Sequence, residues 1–333
     1  VGPGEAVRIM TGAPIPSGAD AVIRFEDTTA ASDALVRIEL GSVRPGLNII
    51  PQGAMLRAGE PVLQTGRRLR AQELALLAEL GTAASSVHPA PTFAVLATGD
   101  ELVPPGVTPG PGQICNSNET LLLAQATAWG CRPVGLGIAR DDPDELRRLI
   151  TRGLESDVLV LTGGVSMGLK DLVPAVLRDL GVRQVFHKVH LKPGKPSWFG
   201  VRDGDGEAGA ATEGQRGSLI FALPGNPVSS MVCSELFVRP AIRRLAGAAA
   251  PLIASVPARL TRTHAVREDR PTYFPARLAL TSGGAEVTPT NWKGSADLRS
   301  TTDANAMIAF PPGERDYAAG ERVDVIPWGR DDD

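Results

Sequence analysis

Three of the five lysines of this chain lie in one short run, HKVHLKPGKP, although the chain has 34 basic residues in all. A lysine ammonium is a compact point charge with three donors, which suits phosphates and other oxyanions. If the run is an extended strand, Lys188, His190 and Lys192 lie on one face, because side chains alternate along a strand. The Pro-Gly-Lys-Pro that follows places Lys195 in a turn. The run therefore predicts an oxyanion site; the alternative is the solvated, charged end of a surface strand.

Acidic residues follow the apolar segments that predict strands in the central region. TFAVLA is followed by Thr-Gly-Asp-Glu at 98–101, VGLGIA by Arg-Asp-Asp at 140–142, and Asp171 comes after a third segment, DVLVL. Ligands bind at the carboxyl ends of strands in open α/β sheets, so these acids are expected at one rim. Several like charges there favour a divalent cation, and Mg2+ commonly uses one or two carboxylates together with substrate phosphates. Asp142 is the exception, because its place before Pro143 predicts a helix N-cap.

Two further motifs at predicted strand ends have the chemistry to bind an anion. In TGGVSMG, at 162–168, glycines allow backbone N–H groups to approach an oxyanion and Ser166 adds a hydroxyl donor. The alternative for this motif is a tight turn without a ligand. LPGNPVSS, at 223–230, ends a strand and begins a helix, with Asn226 or Ser229 available as the cap. The N-terminus of such a helix attracts anions by itself.

The pattern of apolar residues predicts the elements that position these motifs. Residues 1–66 have short alternating segments rich in Gly and Pro, which indicate a β-rich domain, and 67–90 form a helical connector with one amphipathic helix. Apolar strands alternate with helix-period segments over 91–248, and short strands return over 249–330. The predicted fold class is α/β: a central doubly wound, mostly parallel sheet domain flanked by an N-terminal β-rich domain and a small C-terminal β domain.

Composition limits the classes of partner. The formal net charge of −3 gives no basic surface for nucleic acid or an anionic membrane, and no apolar run is long enough for a membrane span. Three cysteines without paired or metal-binding spacing fit a reducing compartment. The partners are therefore expected to be small molecules or proteins. The start, VGPGEAVRIM, is typical of an internal segment, so we expect residues upstream of it in the natural protein.

Seven ordered motifs together resemble one family. They are TGAPIPSGADAVIRFED, TGDELV, GQICNSNE, ARDDP, TGGVSMGLKD, KPGKP and LPGNPVSS. In this order they resemble the MoeA/gephyrin E-domain family, the molybdopterin molybdenumtransferases. The resemblance implies an enzyme that inserts molybdate into adenylylated molybdopterin, with Mg2+-dependent release of AMP. It also implies a cytoplasmic homodimer with its site between subunits, and molybdopterin adenylyltransferase as a possible partner.

The resemblance also implies roles for individual residues. Glu101, Asp141 and Asp171 would be the catalytic acids and the ligands of the metal. Lys188, Lys192 and Lys195 would bind phosphate or molybdate, and Thr11 would reach the site from the β-rich domain across the dimer. The remaining residues implied to bind substrate are Thr98, Gly99, Asn118, Gly163, Gly164, Ser166, Pro224, Asn226 and Pro227.

The sequence departs from the family pattern at three places. The family's N-terminal stretch PGFDNSAMDGYA is absent, Gly53–Leu56 replaces an acidic GEDI-type segment, and Asn116 stands where an aspartate is usual. Two alternatives have related sequences. Molybdopterin adenylyltransferase is a single small domain, which the flanking β domains argue against. A gephyrin-type scaffold would not need the carboxylates and lysines that this chain retains.

Overall fold

The computed structural model describes residues 1–164, 172–204 and 217–329, and the chain divides into two compact units, Val1–Gln64 and Thr65–Asp333. In the first unit a 3-10 turn (Phe25–Asp27) leads into an antiparallel hairpin of β1 (Thr28–Ser32) and β2 (Leu35–Ile38). Turns and irregular segments make up the rest of that unit. The finer boundaries at residues 66, 90 and 248 stay a prediction.

The second unit has helices and strands in alternation, followed by strands. Its first part contains α1 (Ala71–Glu79), β3 (Thr92–Thr98), β4 (Leu102–Val103), β5 (Ile114–Cys115), α2 (Ser117–Ala128), β6 (Arg132–Ala139), α3 (Pro143–Gly153), β7 (Val158–Thr162), α4 (Leu172–Asp179), β8 (Arg183–His187), β9 (Trp198–Arg202), β10 (Ser218–Leu223), α5 (Pro227–Cys233), a π-helical turn (Ser234–Val238) and α6 (Arg239–Leu245). Its last part contains β11 (Val256–Leu260), β12 (His264–Glu268), β13 (Thr272–Thr281), β14 (Gly284–Pro289), a 3-10 turn (Arg299–Thr301), β15 (Ala306–Phe310), β16 (Gly313–Tyr317) and β17 (Arg322–Pro327).

The central sheet has six strands in the order β6-β3-β7-β10-β9-β8. Strands β6, β3, β7 and β10 run parallel, whereas β9 is antiparallel to β10 and β8 is antiparallel to β9. The predicted mostly parallel sheet is confirmed. Strands β3 and β7 are apolar apart from threonines at their ends, as expected for strands that are covered on both faces.

Helices cover both faces of this sheet. Along β3, Ala94 and Leu96 belong to one apolar cluster, which also contains residues of α3 and α4. Phe93 and Val95 belong to the other cluster, which contains residues of α2, α5 and α6. This division follows from the period of two in a strand, which directs neighbouring side chains to opposite faces. The predicted doubly wound arrangement is therefore confirmed.

Local capping interactions set where the helices begin. The Asp142 carboxylate accepts hydrogen bonds from the N–H groups of Asp144 (3.1 Å) and Glu145 (2.8 Å), and Pro143 is the first residue of α3. The predicted N-cap is thus confirmed. Asn116 caps α2 by accepting from the N–H of Glu119 at 3.3 Å. Helix α3 therefore begins directly after the loop that follows β6, and α2 begins directly after β5.

The last part of the chain forms a closed barrel with strand order β11-β14-β13-β15-β17. A separate two-stranded sheet, β12-β16, packs with it around a core that includes Val266, Ile308, Phe310 and Val325. The predicted small C-terminal β domain is confirmed. Within the residues that the structure describes, every helix falls short of the length and hydrophobicity that a transbilayer span requires.

The barrel domain is expected to lose stability below neutral pH because of His264. Its ring lies beside Phe274 and stacks on Phe310, with centroid distances of 4.5 and 4.9 Å. Burial first, and the charge of Arg262 second, lower the pKa of His264 below its ordinary value. In the unfolded chain His264 takes up a proton near pH 6.5, whereas in the folded chain it does so only at lower pH. The folded state is therefore destabilised relative to the unfolded state as the pH falls through 6.5 and below.

Thermal unfolding midpoints at pH 7, 6 and 5 test this expectation. His264→Phe is expected to show a shallower fall between pH 7 and pH 5 than the wild type. His88→Phe, which changes an exposed histidine, is the matched control and is expected to keep the wild-type slope. Equal slopes for all three proteins would contradict the role of His264.

Candidate active site at the carboxyl edge of the central sheet

The loops that follow β3, β6, β7 and β10 are joined by hydrogen bonds at one edge of the sheet. The N–H of Gly99 donates to the carbonyl of Ala139 (3.1 Å), and the N–H of Gly163 donates to that of Leu223 (3.1 Å). The Thr98 hydroxyl donates to the carbonyl of Thr162 at 3.3 Å. The structure therefore brings the predicted strand-end motifs together, as the topology of a parallel sheet requires.

Glu101 lies over the backbone of Gly99. A Cβ added to Gly99 would be 2.4 Å from Oε2 of Glu101, and the φ angle of Gly99 is +143°. This positive φ angle is a conformation that side-chain-bearing residues rarely adopt, which favours glycine here. The carboxylate of Glu101 is exposed at the loop surface, where a ligand has access to it.

Asp141 is on the neighbouring loop and is tied to the loop that carries Glu101. Its N–H donates to Oδ1 of Asp100 at 3.2 Å. The side chain of Arg140, whose role the sequence did not suggest, also donates to backbone carbonyls of that loop. Two of the three predicted carboxylates are thus on interlinked loops. The third, Asp171, lies outside the described residues, as does Ser166.

Gly163 and Gly164 are needed for packing. Their φ angles are +89° and +64°. A Cβ on Gly163 would be 2.4 Å from the carbonyl oxygen of Thr98, and one on Gly164 would be 2.8 Å from Cγ2 of Val173. The end of β7 therefore approaches the end of β3 more closely than a larger residue allows. Their predicted contact with substrate phosphate stays a prediction.

Two buried polar atoms at this edge have no partner in the described part of the chain. Nδ2 of Asn118 donates to the carbonyl of Gly225 at 2.7 Å, but its Oδ1 is buried without a hydrogen bond. The hydroxyl oxygen of Thr162 is likewise buried without a hydrogen bond to a described residue. Unpaired buried polar groups are costly, so both atoms favour a polar ligand or ordered water at this edge.

The N-terminus of α5 contacts the C-terminal part of the chain instead of being capped locally. Asn226 occupies the cap position, but its Nδ2 donates to Oγ of Ser295 at 2.9 Å, and it makes no side-chain cap. Of the two residues predicted as possible caps, Asn226 and Ser229, Asn226 occupies the cap position without capping the helix through its side chain. The carbonyl of Ser295 accepts from the N–H of Val228 at 3.0 Å. Pro227 is the first helical residue, and the carbonyl of Pro224 accepts from the hydroxyl of Ser230 at 2.6 Å.

The lysine run is a compact loop and not an extended strand. Strand β8 ends at His187, and Lys188 has a φ angle of +69°, so the prediction that the lysines share one strand face is wrong. Lys192 forms an ion pair with Glu268 of β12, and its N–H donates to the carbonyl of Pro271 at 2.9 Å. Lys188 and Lys195 are exposed. The sequence pattern of this run predicted a strand, but the run forms a loop that contacts the barrel domain through Glu268 and Pro271.

This loop packs on α5 through Cys233. A Cβ on Gly194, whose φ angle is +126°, would be 2.2 Å from the Cys233 sulfur. Ser197 donates from its hydroxyl to that sulfur at 3.2 Å. Burial raises the pKa of the Cys233 thiol to about 12, so the thiol is protonated at neutral pH and packs as a small apolar group. All three cysteines are free thiols.

The acids that the structure places at this edge suit Mg2+. Carboxylate oxygens are hard donors, and one or two of them together with phosphate oxygens make a usual Mg2+ site. Within residues 1–164, 172–204 and 217–329 no group of three or more His, Cys, Asp or Glu side chains forms a ready-made metal cage. Glu101 and Asp141 supply carboxylates on two linked loops, so a Mg2+ ion there would need further oxygens from the substrate.

Comparisons with known proteins place the whole chain in one family. Models of the MoeA N-terminal region (domain I and II), a probable molybdopterin binding domain and the MoeA C-terminal region (domain IV) match residues 1–81, 94–244 and 257–328. The molybdopterin molybdenumtransferase of Staphylococcus aureus (strain Mu50) is 32% identical over 327 residues, which are 98% of this chain and 74% of the relative. The chain belongs to the molybdopterin molybdenumtransferase family. It is thus a transferase of this family, as its motifs predict.

Other relatives agree with this assignment. The molybdopterin molybdenumtransferase of Staphylococcus epidermidis (strain RP62A) is 33% identical over 323 residues, covering 97% of this chain and 74% of that protein. Two crystal structures of the molybdopterin biosynthesis MoeA protein from Pyrococcus horikoshii are similar in fold. One has 31% identity, a TM-score of 0.73 and coverage of 94% of this chain and 73% of its own. The other has 27% identity, a TM-score of 0.77 and coverage of 98% and 76%.

Proposed function

We propose that this chain inserts molybdenum from molybdate into adenylylated molybdopterin, with Mg2+-dependent release of AMP. The observation that carries the proposal is the placement of Glu101 and Asp141 on two hydrogen-bonded loops at the carboxyl edge of the sheet. Substrates of open α/β sheets bind at this edge. The buried side-chain oxygens of Asn118 and Thr162, which have no hydrogen-bond partner among the described residues, support a polar ligand there.

The carboxylates of Glu101 and Asp141, together with Asp171, would hold the metal beside the adenylate phosphate. When bound, Mg2+ supplies positive charge that stabilises the negative charge developing on the phosphate oxygens. The chain itself would orient the phosphate through the strand-end loops. The residues assigned to this contact are Thr98, Gly99, Asn118, Gly163, Gly164 and Ser166.

Molybdate would bind on the side of the lysine loop and the N-terminus of α5. Lys192 pairs with the carboxylate of Glu268, so an oxyanion there would replace one negatively charged partner with another. Lys188 and Lys195 are exposed on the same loop and would add positive charge. The anion pocket would be shaped by Pro224, Asn226 and Pro227.

We also propose that the protein acts as a cytoplasmic homodimer, with Thr11 of one subunit at the site of the other, and that molybdopterin adenylyltransferase is a possible partner. The first unit has large apolar side chains that are strongly exposed and that a second subunit would cover in part. These residues are Met10, Phe25, Ile50 and Met55.

Release of AMP from adenylylated molybdopterin tests the proposal. The chain would be supplied with Mg2+ and assayed without a tetrahedral dianion, with sulfate and with molybdate. Release that depends on molybdate, is absent with sulfate and is abolished by a chelator is the expected result. AMP release at one rate in all three mixtures would contradict a molybdenum transferase, and substrate binding without any release would indicate a binding role.

A further inference from the structure

We propose that Arg140 is a positioning residue that holds Glu101 and Asp141 in the arrangement needed for metal binding. The inference rests on the proposed function, since it concerns the same two carboxylates. Nη1 of Arg140 lies 2.8 Å from the carbonyl oxygen of Asp100, 3.1 Å from that of Leu102 and 3.4 Å from that of Gly99. These three carbonyls flank Glu101 on both sides in the sequence.

The backbone of Arg140 is held independently of its side chain. Its N–H donates to Oε2 of Glu145 at 3.0 Å, and Glu145 lies in the first turn of α3, which Asp142 caps. Asp141, the next residue, is therefore fixed to a helix that packs on the sheet. The guanidinium then reaches from this fixed point to the loop after β3. In this way Arg140 connects the two loops that carry the carboxylates.

The chemistry of this contact suits a rigid connection. Hydrogen bonds from a charged donor are shorter and stronger than those between neutral groups. The positive charge also offsets the repulsion between acids on adjacent loops. Arg140 is exposed and outside both apolar clusters of the sheet, so its removal is expected to change the geometry of the loops and not the stability of the core.

Three variants separate positioning from a general structural effect. Arg140→Gln removes the charge and most of the donors, whereas Arg140→Lys keeps a charged nitrogen on a shorter side chain. Arg132→Gln is the matched control, because Arg132 is an exposed arginine at the opposite end of the same strand, β6.

Binding of Mn2+, used as a paramagnetic substitute for Mg2+, would be measured by electron paramagnetic resonance. The Mg2+ dependence of AMP release would be measured in parallel.

Arg140→Gln is expected to weaken Mn2+ binding and raise the half-saturating Mg2+ concentration by about 10-fold, and to lower kcat by about 10–100-fold, as for residues that orient metal ligands. The KM for adenylylated molybdopterin should change little. Arg140→Lys should recover part of both losses, and Arg132→Gln should match the wild type. Thermal midpoints of all three variants should stay close to the wild-type value.

The two readouts distinguish failure of this inference from failure of the proposed function. Wild-type Mn2+ binding and Mg2+ dependence in Arg140→Gln would overturn the positioning role, whatever the activity. If the wild type binds Mn2+, Arg140→Gln binds it more weakly, and neither releases AMP, the proposed function fails and the positioning role stands. A wild-type protein that binds no Mn2+ would overturn the positioning role together with the metal site.

Discussion

Glu101→Gln is expected to lower the rate of molybdate-dependent AMP release by about 100-fold or more, the size of effect seen when one group that stabilises the charge of the transition state is removed. The amide keeps the shape of the side chain but loses the negative charge that a hard cation requires. Because Gly99 leaves space for the carboxylate directly over the backbone, the neutral side chain can occupy the same place.

The control for this prediction is Glu155→Gln. Glu155 is exposed and precedes β7, so it lies at the amino edge of the same sheet, opposite the candidate site. The Glu155→Gln variant should release AMP at the wild-type rate. Circular dichroism and thermal unfolding of both variants should match the wild type, since neither side chain is buried. A wild-type rate for Glu101→Gln at every Mg2+ concentration would remove Glu101 from the site.

Arg239→Met is expected to lower the free energy of unfolding by about 3–5 kcal/mol, the usual effect of removing the positive member of a buried ion pair. The side chains of Arg239 and Glu235 are only 5% and 3% exposed, and Nη1 of Arg239 lies 2.9 Å from Oε2 of Glu235. Gln125 donates to the other carboxylate oxygen of Glu235 at 3.1 Å, which does not neutralise the charge. Arg239 also donates to the carbonyl of Pro327 at 3.1 Å, so the variant loses a contact between α6 and β17.

Urea unfolding of Arg239→Met, Arg244→Met and the double variant Glu235→Gln/Arg239→Met tests the mechanism. Arg244 is on the same helix but exposed, so its replacement should change stability by less than about 0.5 kcal/mol. The double variant should recover part of the loss, because glutamine removes the buried negative charge that Arg239 balances in the wild type. If Arg239→Met unfolds at the same urea concentration as Arg244→Met, the buried pair does not stabilise the fold.

Features that depend on neighbouring residues were predictable from the sequence. The apolar runs at 92–98 and 158–162 predict buried parallel strands, and the Asp142-Pro143 pair predicts the start of α3. Each rests on periodicity or on capping, which involves residues only a few positions apart. Because strand order follows the βαβ pattern, the sequence also predicts that Glu101 and Asp141 lie at the same edge.

Contacts between segments far apart in the chain were decided only by the tertiary structure. Lys192 pairs with Glu268, Asn226 with Ser295, and Arg140 with carbonyls about 40 positions away. No local pattern encodes these pairs, because each depends on how the barrel packs on the sheet or how two loops meet. The sequence therefore determined the family, the sheet and the identity of the acids. Packing alone determined that Lys192 pairs with Glu268, that Asn226 contacts Ser295 instead of capping α5, and that Arg140 links the two acidic loops.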